Sequence, residues 1–254
     1  MGKTIAIANQ KGGVGKTTTA INLAASLAAM EKEVLLVDCD PQANATSGLN
    51  IQPDETNNIY RALYAPGTAP RMIYPTLNPF LKILPSLPDL AAADLELVEK
   101  MAREFYLKEV ILHLSHEHEY ILLDCPPSLG LLTINALCAA DRLLIPLQCE
   151  YYALEGITHL MRSYELVRKR LNPSLHLLGV VLTMFDQRNK LSHQVQTEVR
   201  SFFGEQVFTT IIPRNVRLSE APSHGLPVIA YDYRSKGSQA YLLLGQEFVE
   251  RTRA

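Results

Sequence analysis

Gln10-Lys11-Gly12-Gly13-Val14-Gly15-Lys16-Thr17-Thr18 lies between a short β-rich run, Thr4–Asn9, and a long helical stretch, Lys16–Ala29. Glycines at 12, 13 and 15 let the backbone curl until consecutive amides face one anion, and a helix beginning at Lys16 adds the positive end of its dipole. The stretch reads as a phosphate cradle at a strand-to-helix turn. Lys16 is placed to reach β- and γ-phosphates, the Thr17 hydroxyl to ligate Mg2+, and Thr18 to touch the α-phosphate. The usual pattern G-x-x-x-x-G-K-[ST] asks for glycine five residues before Gly15, where this chain has Gln10. A second lysine, Lys11, stands inside the loop instead. Two ammonium groups near one triphosphate repel unless they offset negative charge that develops during phosphoryl transfer. A dinucleotide site is a poorer reading, because the glycines lack the G-x-G-x-x-G spacing.

Outward from the loop, short apolar runs alternate with longer segments of helical period, the pattern of a mostly parallel twisted sheet with helices on both faces. The expected strands are Thr4–Asn9, Glu33–Val37, Leu81–Leu84, Tyr120–Asp124, Arg142–Leu147, His176–Thr183 and Val207–Ile212. The expected helices are Lys16–Ala29, Ala91–Leu114, Leu132–Ala139, Leu154–Arg170, Leu191–Phe203 and Ser238–Arg251. In the first of these, Ala20, Leu23, Ala24, Leu27 and Ala28 recur at three and four, which buries one stripe. Gln42–Asn58 reads as an ordered loop or short helix, and the proline-rich Ala65–Pro79 as a surface excursion. With 254 residues, 47% hydrophobic, and no independent linker, residues 1–254 are expected to form a single α/β domain.

Two apolar strands end in acids. Asp124 closes Tyr120–Asp124, where a buried run would fix the carboxylate beside the phosphate loop to orient a Mg2+-bound water. Asp38 and Asp40 are two apart at another strand end, so in extended geometry both point to one side. Cys39, Cys125, Cys138 and Cys149 show no CxxC pair, which excludes a zinc ribbon and a disulfide framework. His113, His116 and His118 read as a solvated helix end, because no HExxH-like spacing is present.

These motifs resemble those of the ParA/MinD ATPases, the P-loop NTPase family with a deviant Walker A loop. Val34-Leu35-Leu36-Val37-Asp38-Cys39-Asp40-Pro41-Gln42 looks like the family's second acidic motif and Tyr120–Ser128 like its Walker B. The chromosome-partitioning ParA/Soj branch is matched further by Gln148–Gly156 and Ile212–Pro222. The resemblance implies ATP hydrolysis with Mg2+, with Lys11 crossing a dimer interface to the partner's nucleotide and Lys16 gripping the phosphates. It implies that Asp40 positions the attacking water, that Asp38 supports the metal shell, and that Pro213 and Asn215 flank or hydrogen-bond adenine. As residues alone, Asp38 is equally a structural loop acid and Asn215 equally a turn residue.

The resemblance further implies a homodimer that forms with ATP, binds double-stranded DNA non-specifically and is activated by a ParB-like (Spo0J-like) centromere-binding protein. Charge supplies a physical route to DNA. Residues 1–159 carry −7 and residues 160–254 carry +5, within a total of −2. Arg188, Lys190, Arg214, Arg217, Arg234 and Lys236 fall in expected loops or helix starts and form the candidate phosphate-contacting set. No base-reading module is recognisable. Two other readings compete. A MinD-like membrane-associated regulator would need an amphipathic C-terminal anchor, whereas Tyr241–Ala254 alternates acids with bases and reads as a packed helix. A metabolic ATP-dependent ligase or kinase would need a small-substrate pocket that the sequence does not reveal. With no secretory pattern after Met1-Gly2-Lys3-Thr4 and no bilayer-length apolar run, a cytoplasmic protein is expected, and the resemblance implies that it is nucleoid-associated.

Overall fold

Strands that are apolar at every position need cover on both faces, and the chain supplies it. The computed structural model describes residues 2–150 and 153–253. The strands are β1 (Lys3–Ile7), β2 (Val34–Asp38), β3 (Tyr74–Pro75), β4 (Leu81–Leu84), β5 (Tyr120–Asp124), β6 (Arg142–Gln148) and β7 (His176–Thr183). They form one sheet in the order β3-β4-β2-β5-β1-β6-β7, parallel except for β3 against β4. The expected mostly parallel sheet is what the chain forms.

Period-two alternation sorts strand residues between two cores. Ile5, Ile7, Leu36, Leu122 and Leu144 face a layer containing α1 (Lys16–Ala29) and the C-terminal helix, together with the short α2 (Asn44–Gly48). Ala6, Leu35, Val37, Ile121, Leu123 and Ile145 face the other layer. That second layer is built from α3 (Ile59–Tyr64), α4 (Leu90–Glu96), α5 (Tyr106–Leu114), α6 (Leu131–Ala139), α7 (Ala153–Arg170) and α8 (Lys190–Phe203). After β7 the chain returns to the first layer through α9 (Val216–Glu220), α10 (Val228–Tyr231) and α11 (Lys236–Arg253).

The α1–α11 contact fixes the helix that begins at the phosphate loop. A side chain at Gly245 would meet the Ser26 and Met30 side chains at 3.0 Å, so glycine lets the helices approach closely. Thr19 shares a buried hydrogen bond of 3.1 Å with the Tyr241 hydroxyl. The Asn22 side chain donates to Thr18 O at 2.8 Å and accepts from the Val228 amide at 2.7 Å, tying α1 to α10. Phe248 is fully buried and meets Tyr120 edge-on, with ring centroids 5.4 Å apart.

Three sequence expectations are corrected. Val207–Ile212 is not a strand. It touches β7 through the Phe208 and Ile212 amides and an isolated Val180–Val207 bridge, while the intervening Thr209 and Thr210 amides donate to the Glu247 carboxylate on α11. Ala91–Leu114 is not one helix. α4 runs into a 3-10 turn at Leu97–Glu99, and α5 restarts at Tyr106 because Asn135 on α6 accepts from the Leu107 amide and donates to Arg103 O. The histidine cluster is not wholly solvated: His113 and His116 are exposed, but His118 is buried with Nδ1 at 3.0 Å from Leu114 O. The excursion at Ala65–Pro79 contributes Ala69 and Met72 to the core and adds β3 to the sheet edge.

Phe248→Ala removes a buried ring where α11 meets the sheet. Urea denaturation should show a loss of about 3–5 kcal/mol, and a change below about 1 kcal/mol would mean that α11 is not part of the cooperative core.

Candidate functional site

The carboxyl ends of β1, β2 and β5 converge, and each delivers a residue of the expected site. Gly13 and Gly15 take left-handed backbone conformations, with φ of 73° and 86°, which an L side chain adopts at a cost. Gly15 caps α1 without any side-chain oxygen, so the first-turn amides remain directed at the cradle. The loop is anchored from below. Asn9 donates to Pro146 O on β6 at 2.8 Å and accepts from the Lys11 amide at 3.0 Å. Thr183 at the end of β7 donates to Val14 O at 2.8 Å. Lys16 is buried and donates to Lys11 O at 3.0 Å. Its burial lowers the ammonium pKa, against the pull of Asp124, Cys125 and Asp40.

The β2–β5 register sets Asp38 directly beside Asp124. Asp38 accepts from the Thr46 amide at 2.9 Å, the Thr46 hydroxyl at 2.7 Å and the Asp40 amide at 3.2 Å. Its oxygens are engaged with its own chain, the geometry of a supporting group. Asp40 accepts from the Gln42 amide at 2.9 Å, which fixes its direction. Asp124 differs: both carboxylate oxygens are buried without a hydrogen-bond partner, although the Thr17 hydroxyl is a neighbour. A buried carboxylate left unsatisfied is costly. Beside a hydroxyl and a phosphate cradle it fits a hydrated divalent cation, for which one or two carboxylates plus phosphate oxygens are the usual donor set. Among the described residues no three His, Cys, Asp or Glu side chains converge into an all-protein metal cage.

Pro213 and Asn215 line a cleft of about 340 Å3 that opens beside Gly15 and Thr18, with Met184, Leu218 and Tyr241 among its walls. Asn215 also caps α9, its side-chain oxygen accepting from the Arg217 amide at 2.9 Å, so the turn role and a place beside the cradle coexist. The basic residues divide. Arg188, Arg214 and Lys236 line one cleft of about 470 Å3 together with Asp186, whose carboxylate lies 3.4 Å from the Arg188 guanidinium, and the exposed Lys190 opens α8 two residues beyond Arg188. Arg217 is paired with Glu220 at 2.7 Å and Asp232 at 3.3 Å, and Arg234 is exposed in the turn before α11.

Sequence reasoning missed Asn9, Thr46 and Thr183, whose contacts lie outside the loop's own motif. Asn9 and Thr183 lie at or just after strand ends, which hinted at a role, whereas Thr46 lies within α2 and gave no such signal. Glu150 pairs with Lys11 at 3.3 Å, a contact that the motif Gln148–Gly156 does not foretell. Tyr151 and Tyr152 of that motif lie outside the described residues.

Residues 2–177 match the AAA domain family. The chain is similar to the chromosome partitioning protein ParA of Myxococcus xanthus, 56% identical over 99% of this chain and 89% of that protein. It is also similar to the sporulation initiation inhibitor protein Soj of Bacillus subtilis, 52% identical over 97% and 98% of the two chains. Among solved structures it resembles a cobyrinic acid a,c-diamide synthase from Mycobacterium smegmatis with bound ADP and magnesium. That likeness has a TM-score of 0.86 and 33% identity, over 100% of this chain and 96% of the other.

Burial raises both Asp38, to about 6, and Asp124; the Asp40 charge adds to the rise at Asp38, and the Asp38 and Asp40 charges add to it at Asp124. The folded chain therefore retains protons that the unfolded chain releases. This contribution to stability is fully present below the ordinary carboxylate range and is lost as pH rises through the raised folded-state values, about 6 for Asp38. Without nucleotide, Asp124→Asn should raise stability at pH 7 by on the order of 1 kcal/mol, about 2–4 °C in Tm, and flatten the decline from acid to neutral pH. Thermal denaturation across pH tests this; an unchanged slope would refute it.

Proposed function

The chain belongs to the ParA/Soj family of chromosome-partitioning ATPases, and from that premise we propose an ATP-dependent homodimer that holds DNA without sequence preference during chromosome or plasmid partition. Residues 1–254 act as one ATPase unit. The observation that carries the reading is the unpartnered Asp124 carboxylate buried beside Thr17 at the phosphate cradle. Lys16 grips the β- and γ-phosphates, with backbone amides from Gly12 to Thr18 and the α1 dipole adding to the hold. Mg2+ bound at Thr17 and Asp124 would neutralise phosphate charge, with Asp38 holding the strand end in shape through Thr46. Asp40, aimed by the Gln42 amide, orients and deprotonates the attacking water. Lys11 supplies a cation to the partner's triphosphate, and Pro213 and Asn215 border the base.

Hydrolysis is slow in the isolated dimer because phosphoryl transfer depends on positioning, and a ParB-like (Spo0J-like) protein completes that positioning and ends the DNA-bound state. Arg188, Arg214 and Lys236, with Lys190 and Arg234 at the margin, contact DNA phosphates from the shared basic cleft. Arg217 contributes less than Arg188, because two carboxylates, Glu220 and Asp232, offset its charge, whereas the more exposed Arg188 has the single partner Asp186. A MinD-like membrane role is less well supported. Tyr241, Leu244 and Phe248 of α11 are buried in the core, and no helix among the described residues is long and apolar enough to cross a membrane. The synthase likeness has lower identity than the partitioning relatives, so it guides the fold more than the cargo.

Asp40→Ala should retain ATP and the dimer while turnover drops about 10²–10⁴-fold, measured as single-turnover phosphate release; unaltered turnover would remove Asp40 from the reaction. Arg188→Glu should keep the ATP dimer, weaken DNA retention and reduce the salt slope by about 1–2. Wild-type affinity and slope in a salt titration would clear Arg188, and ATP-dependent binding to liposomes in place of DNA would favour the membrane reading.

A further inference from the structure

The Lys11 ammonium turns to its own chain. It lies 3.3 Å from Oε2 of Glu150, two residues past the end of β6. Both sides of this pair are positioned by the backbone. Asn9 accepts from the Lys11 amide and donates to Pro146 on β6, tying the loop to the strand that leads to Glu150. The Glu150 amide donates to Gln148 O at 2.9 Å, and the Gln148 side-chain amide makes a short hydrogen bond to the other Glu150 carboxylate oxygen. The Lys11 and Glu150 side chains remain 37% and 46% exposed. Such a pair is weak, is screened by salt and yields to a stronger anion.

We infer that Glu150 is a positioning residue that parks Lys11 within its own protomer, so that self-association breaks one Lys11–Glu150 pair on each side. The inference rests on the proposed reading in which Lys11 crosses to the partner's nucleotide. Its consequence is a threshold that the bound nucleotide must overcome. The greater charge of ATP competes well with one carboxylate for the lysine, whereas ADP, lacking the third phosphate, competes less. The cost of breaking the pair is the same with either nucleotide, so Glu150 raises both dimer midpoints by one factor and leaves the weaker ADP dimer unpopulated at concentrations where the ATP dimer still forms. Glu150 acts through Lys11 and makes no contact with the reacting atoms in this role.

Glu150→Gln keeps the size and hydrogen-bonding capacity of the side chain but removes its charge. Sedimentation velocity of the full chain with a slowly hydrolysed ATP analogue should find the dimer midpoint lowered about two- to tenfold at low salt, two weak pairs being relieved per dimer. The difference should vanish at high salt, and Glu150→Gln should have no effect in a Lys11→Ala background, a dependence that a merely structural role would not produce. An unchanged midpoint, a weaker dimer, or an effect that survives without Lys11 would overturn the inference. If Lys11→Ala alone dimerises like the parent with Glu150 intact, the crossing lysine itself is refuted, and the inference falls for that separate reason.

Discussion

Two carboxylates side by side in a dry interior are the constraint around which the rest is arranged. Asp38 and Asp124 are both fully buried and face each other across the β2–β5 register. Burial and like charge each oppose ionisation. The chain relieves the two differently. Asp38 receives three donors from its own backbone and Thr46, so it becomes part of the scaffold. Asp124 receives none that closes a hydrogen bond, and only the nearby Thr17 hydroxyl and the ammonium of Lys16 oppose its desolvation. The site is consequently least comfortable without its ligands. A cationic metal with an anionic nucleotide relieves Asp124 and Lys16 together, which links occupancy to stability.

Holding that tension requires stiff surroundings. β2 and β5 are buried along their whole length, and the two cores clamp the sheet from both faces. The phosphate loop itself, rich in glycine, has little stiffness of its own. Its shape is imposed by neighbours: Asn9 bridges it to β6, Thr183 to β7, and α11 fixes the helix that follows. Strand order thus matters chemically. β1 lies between β5 and β6, so the loop leaving it is flanked by the acid of one neighbour and the anchoring carbonyl of the other.

What was legible in the sequence was whatever depends on local order. The glycines and Lys16, the acids closing apolar strands and the alternating strand–helix pattern all follow from spacing along the chain. What was not legible depends on distant partners. Val207–Ile212 has strand composition, but Glu247 takes two of its amides. Ala91–Leu114 has helical period, but Asn135 caps a restart within it. Six basic residues look equivalent in order of sequence, yet only folding shows that Arg217 is matched by Glu220 and Asp232 while Arg188, Arg214 and Lys236 share a cleft. Side-chain partners across tens or hundreds of residues leave no periodic trace.

The segment after Val207 carries a consequence that neither cleft reveals alone. Pro213 and Arg214 line both the cleft beside Gly15 and Thr18 and the basic cleft with Arg188 and Lys236. Arg214 is fastened through its amide to Phe185 O, and Asn215 starts α9. On the proposed function, one short piece of backbone is therefore a wall of the nucleotide pocket and a support for the DNA-facing cations. A ligand that favours one arrangement of this segment biases the other site by the same free energy, because linkage is reciprocal. Coupling across a shared wall needs no long pathway through the core. On the proposed function, DNA holding would then follow nucleotide state through a segment whose apolar side chains, Ile212 and Leu218, are seated in the core while Pro213 and Arg214 line the two clefts.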